Sequence, residues 1–421
     1  MNSEEIPIVL ARYEGEASGY KLFCYGEKPV SNSDGSQQQS PVLVSHNIDG
    51  PIPSHLQEYV VPYRLQDSGN SAVKNIGNNL LPVHLKNLAV IDSTYSGTHK
   101  SSDIYFNILL PLLKAFGLAH VYVSTTSPRT IPDHSKSFSS SSTVIFLAGD
   151  TSIHEFINSL QETKNNLRLT VVAIPTGTGN ALSTSVGHKS PAHAISRLFL
   201  GNMVPLSNFK VKFPEGSVVQ NSGEPVDSLK SIVVSSWGFH AALVADSDSP
   251  ENRALGPSRF QKAAADNIKM DQKYSGRIRF KSNLKTYDLQ GPHSYVLFTA
   301  VSNLEKGFLI SPDSYPYHDD SLHVVQFNHT DGQHILNIMK QAYNQGNHIN
   351  DPFVLYRRLD MPDSSNTLSD LMATIQVNDT NPRNRRWCVD GRIILLGEGD
   401  KMVKLYKPSH RCNGWQLFIV I

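Results

Sequence analysis

An α/β unit built on a mostly parallel sheet, followed by an antiparallel β-rich unit of sandwich type, is the fold class this sequence predicts. Three observations carry that expectation. From Leu85 to about Pro205 short apolar strands alternate with helix patterns, the texture of parallel strands joined by crossover helices. After Pro205, strand-like runs follow one another with few helical pieces between them, as in antiparallel sheets. At 421 residues the chain also exceeds one ordinary hydrophobic core, so more than one domain is expected.

Residues 1–82 read as an N-terminal extension: short strands such as "IPIVLARY" and "YKLFCYG", a polar "SNSDGSQQQS" loop, and a linker, "LQDSGNSAVKNIGNN". Residues 83–205 form the α/β unit. In it "LAVI" is a strand, "SDIYFNILLPLLKAFG" a helix stopped by Gly117, "AHVYVSTT" a second strand, "SKSFSSSST" a loop and "VIFLAG" a third strand. "TSIHEFINSLQE" is a helix with Ile153, Phe156, Ile157 and Leu160 on one face, at i, i+3, i+4 and i+7. "LTVVAIP" is the next strand and "NALSTSV" opens another helix. Residues 206–421 make the β-rich unit, with strands in "SIVVSSWGF", "GRIRFKS", "SYVLFTAVS", "SLHVVQF", "MATIQVN" and "VKLYK".

Charge and composition narrow the function. With 38 Lys+Arg against 37 Asp+Glu, the formal charge of +1 offers no bulk attraction to nucleic acid, and no nucleic-acid partner is expected. Cys24, Cys388 and Cys412 are widely spaced and odd in number, which fits free thiols in a reducing compartment rather than a disulfide framework or a zinc site. "MNSEEIPIVL" is a poor signal peptide, and no apolar run approaches the ~20 residues of a membrane span. A cytoplasmic protein is expected, meeting any membrane from the side.

Three bends lie where α/β proteins place ligands, at the exits of strands. In "GDTSIHE", Gly149 suits a tight bend and Asp150 stands at the mouth of the sheet, while Ser152 and Glu155 have the S-x-x-E spacing of a capping box. In "IPTGTGNALSTSVG", Gly177 and Gly179 flank Thr178 and lead into a helix, the arrangement in which bare backbone N–H groups and a helix start face an anion. "IDSTYSGTHKS", Ile91 to Ser101, also follows a strand and precedes a helix, although it lacks the Walker spacing.

Together these segments resemble the catalytic core of the diacylglycerol kinase/sphingosine kinase superfamily, whose signatures are a G-G-D-G-[TL]-x-[NH]-E turn and a P-x-G-[TS]-G-N loop. "SSWGFHAALVADSDSPENRALGPSRF", Ser235 to Phe260, is similar to the sphingosine-kinase pattern W-G-F-x-A, an acidic stretch, then R-x-L-G-x-x-R-[FY]. "YSGRIRF", "GFLISPDSYPYHDDSLHVV" and "CVDGRI" follow in family order, so the resemblance runs from about Leu85 to Lys407 and leans to the sphingosine-kinase branch. It implies a Rossmann-like first unit of the NAD-kinase/diacylglycerol-kinase type that binds nucleotide, and a second unit that binds lipid.

The resemblance further implies roles for residues. Asp150 occupies the position of the general base that takes the proton from the lipid hydroxyl. Gly149 shares its turn, and Ser96, Gly97 and Thr98 with Gly177, Thr178, Gly179 and Asn180 would cradle the phosphates of ATP. Thr125 or Thr126 lies where the family contacts nucleotide, and Arg253 and Arg259 match two arginines that face the phosphates. Asp390 matches the acid of a D-G-E motif linked to nucleotide and Mg²⁺. Asp246, or in competition Asp248, matches the acid that holds the amine and hydroxyl of a sphingoid base. The implied partner is a lipid substrate reached by peripheral membrane contact, and the implied activity is ATP-dependent phosphorylation of a sphingoid long-chain base.

Three departures bear on this. Ala148-Gly149-Asp150-Thr151 replaces G-G-D-G, and Thr would suit the fourth position poorly if that position needs positive φ. Asp390-Gly391-Arg392 reverses a charge in D-G-E, and Asp319-Asp320-Ser321 stands for D-D-G. The alternatives are a kinase acting on diacylglycerol or ceramide, and a catalytically silent relative that binds nucleotide or lipid. A soluble-substrate kinase of the NAD-kinase type shares the Gly-Asp turn but leaves "WGF" and the R-x-L-G-x-x-R run without a purpose.

Overall fold

The computed structural model describes residues 4–13, 19–31, 37–65, 81–94, 97, 100–253, 255–317, 320–362 and 370–421. Ser96, Thr98, Asp319 and nearly all of the expected linker lie outside the described residues.

The chain starts with β1 (Ile6–Tyr13), β2 (Gly19–Ser31), β3 (Gln37–Ile48) and β4 (Val60–Leu65), which form one sheet in the order β3-β2-β1-β4. Strand β3 begins inside the expected "SNSDGSQQQS" loop, because Gln37–Ser40 pair with Lys28–Ser31 of β2. A second sheet contains β5 (Leu88–Asp92), β6 (His120–Ser124), β7 (Ser142–Ala148) and β8 (Arg168–Pro175), all parallel, in the order β8-β7-β5-β6. The chain moves from β5 to β6 on one side, then crosses back to β7 on the other. That reversal opens a crevice at the carboxyl ends of β5 and β7, the place where such sheets bind ligands.

Both faces of this sheet are covered, which explains the near-continuous apolar character of its strands. Alternate residues point to opposite faces. Ile91, Val144, Phe146, Val171 and Ala173 pack with Ile153, Phe156, Ile157 and Leu160 of the helix Asp150–Ser159, so the expected apolar face is the buried one. Val90, Ile145, Leu147, Val172 and Ile174 instead meet Ile108, Leu109, Leu112, Ile195, Leu198 and Phe199, and the first sheet packs there through Ile8, Val9, Phe23 and Tyr63. The helix expected over "SDIYFNILLPLLKAFG" spans Ser101–Ala115 in three consecutive pieces, with a π-type turn at Tyr105–Leu109 just before Pro111.

The rest of the chain supplies two antiparallel sheets. One of six strands includes Phe209–Lys212, Gly276–Ser282, Lys285–Gln290, Leu371–Val377 and Met402–Tyr406. One of seven includes Val234–Gly238, His293–Thr299, His323–Asn328, Leu355–Arg358, Arg386–Val389 and Arg392–Leu395. They share a core: Phe209, Val211, Ile278, Ile375 and Leu405 from the first meet Trp237, Val296, Phe298, Trp387 and Ile394 from the second. The last strand departs from the expected 206–421 span. Trp415–Val420 runs parallel to β8 in the α/β sheet, where Trp415, Leu417, Ile419 and Val420 are buried. An apolar run on both faces needs cover on both sides, and the open edge of β8 provides it.

Candidate functional site

The three glycine-bearing bends meet. Gly97, after β5, has φ +60°, and a Cβ there would lie 2.1 Å from the carbonyl oxygen of Thr176. Gly177, after β8, sits so close to the bend after β7 that its Cβ would lie 2.4 Å from Gly149 Cα. Gly149 in turn has room for no side chain beside the Gly179 carbonyl, 2.7 Å from where a Cβ would stand. Only bare backbone can assemble this cradle. Thr176 Oγ1 and Arg259 Nε, two buried polar atoms beside it, have no partner among the described residues. A polyphosphate fits these features: it accepts from exactly the kind of donor left over here, and it needs backbone at close approach.

Asp150 opens the helix Asp150–Ser159 with Gly149 as N-cap. Its carboxylate reaches across the cleft to the start of the helix Ala181–Ser185, Oδ2 accepting from Ala181 N at 2.7 Å and Oδ1 from Leu182 N at 3.0 Å. Burial pushes its pKa up to about 6, against the opposing pull of those two N–H groups, with the charge of Asp390 adding to the rise. Each oxygen keeps acceptor capacity beyond its one hydrogen bond.

Asn180 turns back on its own loop, accepting from Gly177 N and donating to Gly177 O, and so braces the bend from within. Thr178 Oγ1 accepts from Arg259 Nη2 at 3.3 Å, which brings Arg259 to the loop. Arg253 forms a two-pronged contact with Asp248 at 2.9 and 2.7 Å, and Arg259 Nη1 reaches the same carboxylate at 3.3 Å. Thr125 accepts from Thr94 N and donates its own N–H to the Asp92 carbonyl, tying the exits of β5 and β6 together, while Thr126 N donates to Thr130 Oγ1.

Asp246 is not presented as a free acid. Arg386 at 2.7 Å, Arg383 at 2.8 Å and Asn267 at 2.9 Å all donate to it. Burial raises its pKa, but these donors and the two cations outweigh that and leave it lowered.

Asp390 departs furthest from its expected role. Its side chain is 0% exposed and accepts from Ser231 Oγ, from the backbone N–H groups of Ile232, Val233 and Val234, and from His154 Nδ1. With its acceptor sites taken up by protein donors, it is not aimed at a nucleotide or at Mg²⁺. The local reason is turn chemistry: Asp390 (φ +49°) and Gly391 (φ +89°) form a two-residue hairpin between Val389 and Arg392.

Thr151 lies in the first turn of its helix, so its position needs no positive φ, and its hydroxyl donates to the Asp390 carbonyl at 3.4 Å. The capping box is absent: the helix begins at Asp150, and Ser152 Oγ meets Ser93 Oγ instead. Glu155 is partly buried, which raises its pKa, while Arg392 and His154 pull it down. Arg392 also pairs with Glu224 at 3.6 Å. The reversed charge of the third motif position thus faces acids of this protein. Asp320 accepts from Ser207 and pairs with His410 at 3.1 Å.

Three site-forming residues escaped the sequence reading. Asp92, at the end of β5, accepts from Ser102 and Tyr122 through Oδ2, while its buried Oδ1 has no partner among the described residues. The signal was the one used for Asp150, an acid at a strand exit. His154 holds the H of the G-G-D-G-[TL]-x-[NH]-E signature, and Asn158, one turn later, exchanges two hydrogen bonds with the Lys230 backbone.

Residues 87–211 match the diacylglycerol kinase catalytic domain. Sphingosine kinase B of Dictyostelium discoideum is 28% identical over 171 residues, covering 36% of this chain and 22% of that protein. Two solved structures of putative diacylglycerol kinases from Bacillus anthracis str. Sterne share the fold. One superposes with a TM-score of 0.52 at 13% identity and the other with 0.50 at 12%, each covering 79% of this chain and 96% of its own. The cradle of bare glycines lies within the segment that is similar to the diacylglycerol kinase catalytic domain, residues 87–211.

Proposed function

We propose that the protein is an ATP-dependent lipid kinase whose acceptor is the primary hydroxyl of a sphingoid long-chain base. The observation that carries the proposal is the mutual contact of the bends at Gly97, Gly149 and Gly177, with Asp150 in the middle of them. Backbone N–H groups of the glycine loop and the guanidinium of Arg259 hold the phosphates, with Arg253 drawn in from Asp248. Phosphoryl transfer asks little else of a protein than position and neutralised charge. The acceptor oxygen bonds to the γ-phosphorus, the bond to the ADP oxygen breaks, and the hydroxyl proton passes to a carboxylate oxygen of Asp150. Asp92, whose Oδ1 has no partner among the described residues, would hold Mg²⁺ brought with the nucleotide, which would supply further charge neutralisation. Such an enzyme works at the cytoplasmic face of a membrane, bound peripherally.

A specific observation favours a second acceptor class. Asp246 and Asp248 are both engaged by arginines, so an uncharged lipid alcohol such as diacylglycerol or ceramide would meet no free acid here.

Transfer of radiolabel from [γ-³²P]ATP across a panel of sphingoid bases, ceramide and diacylglycerol tests both readings, with Asp150→Asn as control. Preferred labelling of sphingoid bases supports the first acceptor and preferred labelling of neutral lipids the second. No labelling of any lipid, or labelling undiminished in Asp150→Asn, overturns the kinase reading or the base assignment respectively.

A further inference from the structure

The hairpin of Gly276–Ser282 and Lys285–Gln290 turns through Asn283 (φ +50°) and Leu284 (φ +62°), with Ser282 paired to Lys285. Two-residue turns of this left-handed kind strongly favour Asn-Gly or Asp-Gly. Here the second position holds leucine, a residue disfavoured in that conformation, and its side chain is 97% exposed. A lone exposed leucine needs no explanation. A leucine kept in a conformation that suits glycine, on a turn fastened from behind, does. Asp360 is the fastening: its two carboxylate oxygens accept from Asn283 N at 2.8 Å and Leu284 N at 2.7 Å.

The surroundings are basic. Lys281 and Lys285 flank the tip and are exposed. Asn283 lines an open cleft of about 400 Å³ together with His323, Tyr356, Arg357 and Arg358, and Asp313 is the acid among its lining residues. Next to Asp360, Met361 is 45% exposed. Lys281, Lys285 and Arg357 thus lie about an apolar tip, and the carboxylate of Asp360 behind it is occupied by the turn itself.

We propose that this hairpin tip is a membrane anchor, with Leu284 inserting among acyl chains and Lys281, Lys285 and Arg357 meeting the headgroups of an anionic leaflet. Apolar insertion with a cationic collar is the combination that holds peripheral proteins on such surfaces. The clamp by Asp360 presents the leucine without further ordering, which removes part of the cost of docking. The proposal does not depend on the nucleotide site.

Co-sedimentation of the full chain, without nucleotide, tests it on phosphatidylcholine vesicles with and without phosphatidylserine. Binding should require phosphatidylserine and weaken at high salt. Leu284→Gly should lower vesicle affinity about tenfold with thermal stability kept or raised, since glycine suits the turn; this separates anchoring from folding. The pair Lys281→Glu and Lys285→Glu should cost about fivefold per lysine. Equal binding to both vesicle types, no binding to either, or unchanged binding of Leu284→Gly would overturn the proposal. Because no nucleotide is present, a failed kinase assay leaves this outcome untouched.

Discussion

Asp150 has two tasks at the residue scale. It stands where a base would act and it also caps the helix Ala181–Ser185 through two hydrogen bonds. With its pKa pushed up to about 6 by burial, the ionised form needed to accept a proton is lost as pH falls through that value. Phosphoryl transfer should therefore drop about tenfold per unit below about pH 6, read as kcat/KM against pH; a profile flat down to pH 4.5 would remove Asp150 as base. Asp150→Asn should lower activity by ~100-fold or more and also lower Tm, because an amide nitrogen then faces a backbone N–H. Nucleotide affinity of that variant should accordingly be measured alongside its rate. Asp390 makes a purely structural case. Asp390→Asn sets a donor against donors in a fully buried pocket, and about 3 kcal/mol of stability should be lost in denaturant titration.

Glycine bends dominate at the element scale. Gly177→Ala would place a methyl 2.4 Å from Gly149 Cα, so the loop must move. Binding of a fluorescent ATP analogue should be lost at protein concentrations where the parent is saturated, and retained binding would show that the bends do not form the cradle. Gly391→Ala strains a φ of +89° and crowds Thr151 Oγ1 at 2.8 Å, which should cost about 1–3 kcal/mol in unfolding experiments. Much of this scale was legible in the sequence. The apolar face of the helix Asp150–Ser159 followed from spacing, and the strand exits followed from apolar runs ending at Gly. The helix Pro191–Leu200 was missed although Ser190 caps it, accepting from His193 N, with Pro191 at its first position. Asp-Gly in "CVDGRI" was read as a ligand motif, whereas the same pair specifies a hairpin turn. One dipeptide can serve either purpose, and only its burial tells which.

At the scale of the whole molecule, a late strand returns to the first half. Trp415–Val420 extends the α/β sheet beside β8, and Asp390 and Asn158 join the helix after β7 to the strands of the other half. A chain ending at Pro408 should expose the β8 edge and unfold at a lower temperature; an unchanged calorimetric trace would show that the last strand is dispensable. Among the described residues no helix is long and apolar enough to cross a membrane.

The alternation of strands and helices, the three bends and their order along the chain were determined by sequence alone, because apolar period and glycine placement are local properties. Which acids are free was decided by tertiary structure. Asp150, Asp246, Asp248 and Asp390 look alike in a string of letters. Folding surrounds Asp390 with donors, ties Asp246 and Asp248 to arginines, and leaves Asp150 beside the glycine cradle with acceptor capacity to spare. A carboxylate's chemistry depends on what desolvates and neutralises it, and those neighbours come from segments as far as 236 residues away.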